Sequence, residues 1–247
     1  MLKAALCALL LASAPASADP QSLKLLVLGD SISQGFNAVK FGLAPEYNWA
    51  TGDKINSYKA RLEATGYQVQ SKNVSIPIAP SHWLGLELYL ARGFTPDLVL
   101  IEIGANDLCH AVAKPDTIGN VAWTIDRLLE QNPKVQIVLA GVPRISAVYE
   151  SKKSSQACLD RWKIPLCPAF LSPDLTDKER AINQFKIDSV NAGLRQLASV
   201  YPGTVRYVTE IGETPIMAED ISDVDCFHPS PTGQGRLAEA AFLQSWQ

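Results

Sequence analysis

Five short apolar runs, each separated from the next by a stretch of helical period, limit the folds open to this chain more than any other feature. Residues 23–28 (LKLLVL), 69–76, 98–103 (LVLIEI), 135–139 (VQIVL) and 205–208 have strand length, and most carry too few polar positions to leave one face in water. Between them, residues 57–64 form a helical segment closed by Gly66. Ile118, Val121, Ala122, Ile125, Leu128 and Leu129 keep the 3.6-residue period until Asn132-Pro133 stops it. Ile182, Phe185, Val190, Leu194 and Leu197 repeat it as far as Pro202, and residues 235–245 make a final helix. This alternation predicts an α/β fold of three layers, α/β/α, around a five-stranded parallel sheet. A chain of 247 residues suits one such domain.

Two segments fall outside that rhythm. Residues 1–18 carry Lys3, an apolar stretch and Ala16-Ser17-Ala18, the pattern of a cleaved export signal, with Cys7 inside the apolar stretch. Residues 19–247 then form the mature domain, secreted or periplasmic, and no later stretch has the length of a transmembrane helix. Residues 146–177 hold Cys158, Cys167 and three prolines, too long for an ordinary connection, and are expected as an insertion over the active-site side of the sheet. With 22 Lys and Arg against 25 Asp and Glu, and no basic run, nucleic acid is not an expected partner.

In a parallel sheet of this kind, functional groups gather beyond the C-terminal ends of the strands. Gly29-Asp30-Ser31, residues 77–80, Gly104-Ala105-Asn106-Asp107 and Gly141-Val142-Pro143-Arg144 all stand there. A serine hydroxyl needs a base to take its proton and a carboxylate to orient that base. Ser31 follows a buried strand through a tight turn and is the candidate nucleophile, although a Gly-Asp-Ser turn by itself often serves only as a helix cap. Asp225-Cys226-Phe227-His228 sets a carboxylate three residues before an imidazole, so that Asp225 can hold Nδ1 and leave Nε2 for Ser31. The Asn106 amide and the Ser31 N–H are candidate donors to the negative oxygen of a tetrahedral intermediate. Asp30 and Asp107 are read as holding their own turns, and His82 and His110 as structural. Glu102, a charge in an apolar strand, needs a partner, and Arg144 is the one considered.

At these positions the chain resembles a known family. Gly29-Asp30-Ser31-Ile32, Gly104-Ala105-Asn106-Asp107 and Asp225-Cys226-Phe227-His228-Pro229-Ser230 look like the first, third and fifth blocks of the GDSL or SGNH hydrolases, in order and in spacing. Asn106-Asp107-Leu108-Cys109 and the Asp-Cys-Phe-His-Pro-Ser string look more particularly like its phospholipase B-like branch. The resemblance implies a flavodoxin-like α/β/α hydrolase without cofactor, with Ser31 as nucleophile, His228 as base, Asp225 as its orienter and Asn106 in the oxyanion hole. The second block departs from the pattern: Ile78 stands where the family has a glycine that gives its backbone N–H to the oxyanion hole. A β-branched residue resists positive φ, so this hole is expected to be crowded or distorted there, with the Ile78 N–H as its third donor.

After loss of Cys7, four cysteines remain in an oxidising compartment and allow three pairings. Cys109 and Cys226 both adjoin site motifs, so the expected pairing is Cys109–Cys226, tying two site loops, with Cys158–Cys167 stapling the insertion. Metal binding is the lesser reading, since no CxxC pair exists and His82, His110 and His228 lack ligand spacing. Trp162, Ile164, Pro165, Leu166, Phe170 and Leu171 near Lys152, Lys153, Arg161 and Lys163 suit an acyl chain and an anionic headgroup at a membrane surface, or simply pack the insertion onto the domain. The expected function is an exported serine esterase for small-molecule esters, lipid or lysophospholipid esters first, acetylated sugars and aryl esters next. The reading from another class is a binding module on the same scaffold with a spoiled oxyanion hole.

Overall fold

The structure is a computed structural model that describes residues 21–110, 116–164, 166–209, 213 and 215–246. The export signal expected over residues 1–18 lies outside them. β1 (Gln21–Gly29), β2 (Tyr67–Asn73), β3 (Leu98–Glu102), β4 (Gln136–Ala140) and β5 (Val205–Val208) form one all-parallel sheet in the order β2-β1-β3-β4-β5. The chain winds outward in both directions from β1 and β3, so the crevice between their C-terminal ends is the topological switch point. Gly29, Glu102 and Ala140 stand in register there.

Alternate side chains of the strands feed two cores. Leu25, Val27, Leu100 and Val138 pack against α1 (Tyr58–Ala64) and the last helix, Pro231–Ser245, through Tyr58, Leu62, Ala238 and Ala241. Leu26, Leu28, Val99, Ile101, Ile137 and Leu139 face the other way. They meet α2 (Leu84–Leu90), α4 (Thr117–Gln131) and α8 (Asp177–Val200) through Leu84, Val121, Ile125, Leu128 and Leu194. The central strands are buried on both faces, which is why they read as unbroken apolar runs. Among the described residues, no helix is long and apolar enough to cross a membrane.

The boundaries moved where side chains compete for backbone groups. β2 stops at Asn73, not Ile76: Asn73 Oδ1 accepts from the Ser75 N–H and hydroxyl, while the Val74 and Ile76 N–H groups still donate to the Val27 and Gly29 carbonyls of β1. The last helix begins at Pro231, four residues before expectation, since the Ser230 hydroxyl caps it and Pro231 occupies the first turn, where its missing N–H costs nothing. α2 has no counterpart in the sequence reading; a 3-10 turn, Ser81–Trp83, runs directly into it.

Residues 146–177 carry helices of their own. They continue α5 (Ile145–Lys152) into α6 (Gln156–Arg161) and α7 (Pro168–Leu171), and a third core forms beyond the C-terminal end of the sheet. Trp162, Phe170 and Leu171 are buried in it with Ala105, Val142, Ile145 and Ile187, so they are not an exposed lipid platform. Each buried side chain of this size contributes about 1.5–3 kcal/mol, which decides between packing and display. Lys152 pairs with Asp223, Lys153 with Glu150 and Lys163 with Asp160, while Arg161 donates to the Val224 carbonyl. Ile164 alone of the named apolar side chains is largely exposed; Pro165 lies outside the described residues.

The expected disulfide pairing is corrected. The bridges are Cys109–Cys167 and Cys158–Cys226, with Cα separations of 4.5 and 5.5 Å. The insertion is not a free loop stapled to itself: with α6 and α7 folded into the third core, each of its cysteines faces one beside the site, Cys109 at the end of α3 (Ala105–Cys109) or Cys226.

Candidate active site

Ser31 reaches its place because Gly29 ends β1 at φ +150°, where an added Cβ would lie 2.3 Å from the Glu102 carbonyl oxygen. The chain turns into a 3-10 segment, Ile32–Gln34, with Ser31 as its first flanking residue. From the far end of the chain, the segment after β5 folds back over this turn. The Ser222 N–H donates to the His228 carbonyl, the Trp162 indole N–H donates to the Cys226 carbonyl, and Cys226 takes φ +59°. His228 Nε2 thereby stands 2.8 Å from Ser31 Oγ, and His228 Nδ1 stands 2.5 Å from Asp225 Oδ2. Ser31, Asp225 and His228 are each only 6% exposed, so the pairs are shielded from water.

Asp225 is ringed by donors. Its Oδ1 accepts from the N–H groups of Phe227 and His228 at 2.9 and 3.0 Å, and its Oδ2 accepts from Asn37 Nδ2 at 2.6 Å as well as from His228 Nδ1. Burial by itself would raise this carboxyl, but the bonds and charge of His228, with Asn37, hold it below the usual carboxylate range. An ionised Asp225 fixes the proton of His228 on Nδ1 and leaves Nε2 as acceptor for the serine.

Asn37 was not foreseen. A lone asparagine in a loop carries no pattern, and only the fold shows it bonded to Asp225. It sits at φ +56°, a conformation asparagine tolerates better than most residues. Asn37→Gly keeps that conformation and removes only the amide. It is expected to lower kcat for ester hydrolysis about tenfold, the order of one charge-assisted hydrogen bond. Steady-state kinetics check this, and an unchanged kcat would remove Asn37 from the site.

Two further residues are the expected oxyanion donors. Asn106 Nδ2 donates to Asp30 Oδ2 at 3.2 Å and to the Ala79 carbonyl at 3.1 Å, bonds long enough for a stronger acceptor to displace. Ile78 lies in a four-residue turn closed by Ala79 N–H to the Ile76 carbonyl, with Pro77 second and Ile78 third at φ +60°. That is the arrangement in which glycine is usual at the third position. The expected distortion is absent: isoleucine adopts the glycine-like conformation, with its side chain 67% exposed. Among the described residues, the N–H groups of Ser31 and Ile78 meet no backbone or side-chain acceptor. Holding a β-branched residue at positive φ costs about 1–2 kcal/mol, and its exposed side chain recovers little of it. Ile78→Gly is therefore expected to raise unfolding stability by about 1 kcal/mol, read by urea titration; a loss of stability would mean that the isoleucine side chain packs after all.

Beneath the serine lies a buried carboxyl cluster. Arg144 is exposed and is not the partner of Glu102, whose two carboxyl oxygens are buried and meet no hydrogen-bond partner among the described residues. Burial pushes Glu102 well above its ordinary range, and Asp30 and Glu87 push it further. Burial likewise raises Asp30 to about 6, against the pull of the Ile32 N–H and His228. Glu87, whose Oε2 accepts the Gly29 N–H at 2.8 Å, is raised by burial to about 9. The unfolded chain ionises Glu87 from about 4.5 upward while the fold keeps it protonated, so stability from this group is full below 4.5 and is lost as pH rises toward 9. Glu87→Gln is expected to melt several degrees above the wild type at pH 8 and level with it at pH 4. Equal differences at both pH values would contradict a raised Glu87.

Asp107, expected to hold its own turn, instead ties neighbouring segments together, accepting from the Ser81 N–H and the Thr117 hydroxyl. His82 packs edge-on against Trp83, and His110 follows the end of α3. Among the described residues, no cluster of His, Cys, Asp and Glu could hold a metal ion. A small apolar cavity, open to solvent, borders His228 and is walled by Ile32, Ala105, Ile145, Ile216, Phe227 and Leu237; neither Ser31 nor Asn106 lines it.

Comparison with known proteins accords with this geometry. Solved structures with the same fold include TesA, 20% identical at a TM-score of 0.59 over 90% of this chain and 97% of that one. Phospholipase A1 from Streptomyces albidoflavus NA297 is 16% identical at 0.60 over 90% and 99%. The extracellular lipase of Streptomyces rimosus is 18% identical at 0.55 over 90% and 99%. No curated protein matches the sequence. The model of the GDSL-like lipase/acylhydrolase family matches residues 27–236, from within β1 into the last helix. The chain therefore belongs to the GDSL-like lipase/acylhydrolase family and is a carboxylic ester hydrolase.

Proposed function

We propose that this protein is an exported serine esterase for lipid esters, working through an acyl-enzyme on Ser31. The observation that carries the reading is the continuous hydrogen-bonded series Asn37–Asp225–His228–Ser31. His228 Nε2 takes the proton as Ser31 Oγ attacks the ester carbonyl, and Asp225 stabilises the imidazolium so formed. The oxyanion is received by the N–H groups of Ser31 and Ile78 and by Asn106, whose amide turns from Asp30 or Ala79 toward the new charge; one such donor contributes roughly 3 kcal/mol. His228 then protonates the departing alcohol. In the second half, water gives its proton to His228, attacks the acyl-enzyme and releases the acid.

The lipid assignment is supported by the lipase and phospholipase activities named for structural relatives and by the likeness of Asn106-Asp107-Leu108-Cys109 to the phospholipase B-like branch. Two disulfides favour an oxidising compartment, secreted or periplasmic. The test is reaction with an alkyl fluorophosphonate followed by peptide mass spectrometry, alongside turnover of p-nitrophenyl esters of two to twelve acyl carbons, a span of roughly 0.8 kcal/mol per buried methylene. Expected are one adduct, on Ser31, and higher kcat/KM for the longer chains. An adduct elsewhere with turnover intact would overturn the nucleophile, and a preference for acetate would overturn the lipid substrate.

A further inference from the structure

We infer that Phe36 and Phe41 form the subsite for the alcohol half of the ester and that this subsite selects an apolar alcohol. The inference rests on the esterase reading above. When the carbon–oxygen bond of the ester breaks, its electron pair leaves on the alcohol oxygen, and the proton that His228 took from Ser31 passes to that oxygen. The leaving oxygen must therefore come within hydrogen-bond distance of Nε2, and what packs beside the imidazole meets the group attached to it.

The Phe36 ring stands edge-on to the His228 imidazole with centroids 5.3 Å apart, and the Phe41 ring stands edge-on to Phe36 at 6.3 Å. Phe36 is half-buried, whereas Phe41 is 86% exposed, with Val39 and Leu43 also exposed on the same loop. Such a run of uncovered apolar side chains is unusual unless something binds it. The loop is also held in place. The Phe36 N–H donates to the Ser31 carbonyl at 3.0 Å, and the Asn37 and Gly42 N–H groups are both engaged across the loop at 2.8 Å. Ser222 Oγ donates to the Asn37 carbonyl, and the Asn37 amide donates to Asp225. One short segment thus ties the carboxylate that orients His228 to an aromatic ledge beside the same imidazole. An exposed phenylalanine adds little to folding but gives a flat apolar surface to an alkyl or aryl alcohol at small entropic cost, since only two side-chain torsions need be fixed. The cavity beyond the His228 loop, which neither Ser31 nor Asn106 lines, is the competing place for that group.

The test separates the two halves of the substrate. Acetates of ethanol, butanol, hexanol and octanol, leaving groups of similar acidity, are compared with ethyl esters of acetic, butyric, hexanoic and octanoic acids, all below their aggregation limits, with acid release followed by pH-stat. In the wild type kcat/KM is expected to climb along the alcohol series. In Phe41→Ser the octyl-to-ethyl ratio should fall about tenfold, while the slope along the acyl series stays as in the wild type. Phe41 is at the surface, so an unchanged melting temperature should accompany the change. A slope lost in the acyl series, or lost equally in both, would overturn the assignment, as would no effect; Phe227→Ser flattening the alcohol series in place of Phe41→Ser would move the subsite to the cavity. If the wild type cleaves esters and Ser31 takes the fluorophosphonate, any such failure belongs to the inference alone. No turnover and no label would sink the esterase reading together with it.

Discussion

Alanine in place of Ser31 is expected to lower kcat for ester hydrolysis about 10⁶-fold, and alanine in place of His228 by a comparable factor, with the double variant no slower than either. The reason is the geometry at the switch point. Ser31 Oγ and His228 Nε2 lie 2.8 Å apart and act on one proton, so removing either leaves the other without work. What remains is binding and the oxyanion donors, which sustain a residual rate about 10³ to 10⁴ above water. Asp225→Asn should cost about 10⁴, because an amide can present its NH₂ to Nδ1 and reverse the tautomer that the carboxylate imposes. Active-site burst measurements on purified variants check these factors. Ser31→Ala retaining more than about one per cent of the wild-type rate would show that another group attacks the ester.

Loss of either disulfide is expected to lower stability by about 4 kcal/mol, because the loops they close, 58 and 68 residues, differ little in chain entropy. Had the insertion been stapled to itself, the two bridges would have differed in worth; the observed pairing makes them nearly equal. For a domain of this size each double replacement, Cys109→Ala with Cys167→Ala or Cys158→Ala with Cys226→Ala, should depress Tm by about 8–16 °C. Their effects on activity should diverge. Cys226 stands at φ +59° between Asp225 and Phe227, so the bridge to Cys158 holds the backbone that carries His228, whereas Cys109–Cys167 joins α3 to the insertion. Calorimetry with kinetics at 15 °C, where both variants remain folded, should show a larger kcat loss without Cys158–Cys226. Equal kcat values would mean that the hydrogen bonds of Ser222, Trp162 and Asn37 hold the His228 loop unaided.

The strands were legible because central strands of a parallel sheet lose both faces to helices and so read as plain apolar runs; LVLIEI needs no partner to be recognised. The alignment of Ser31, Asp225 and His228 was legible as order and spacing along the chain. Other features depend on contacts that no local pattern encodes. Trp162 and Phe170 are apolar whether they face lipid or the third core, and only the fold of α6 and α7 chooses between these. The cysteine pairing depends on that same choice. Asn37 is a single polar residue in a loop, and its bond to Asp225 spans 188 positions. Ile78 shows the reverse: its β-branched side chain argued against positive φ, and the turn set by Pro77 with the Ala79–Ile76 bond overrides that preference.

The bond between Ser31 and His228 spans 197 positions, and Pro231–Ser245, which follows it, completes the layer that packs on β1. The hydroxyl and the imidazole therefore meet only once two segments 197 positions apart have both folded onto the sheet, and a fragment that stops short of residue 225 would hold the hydroxyl without its hydrogen-bonded partner.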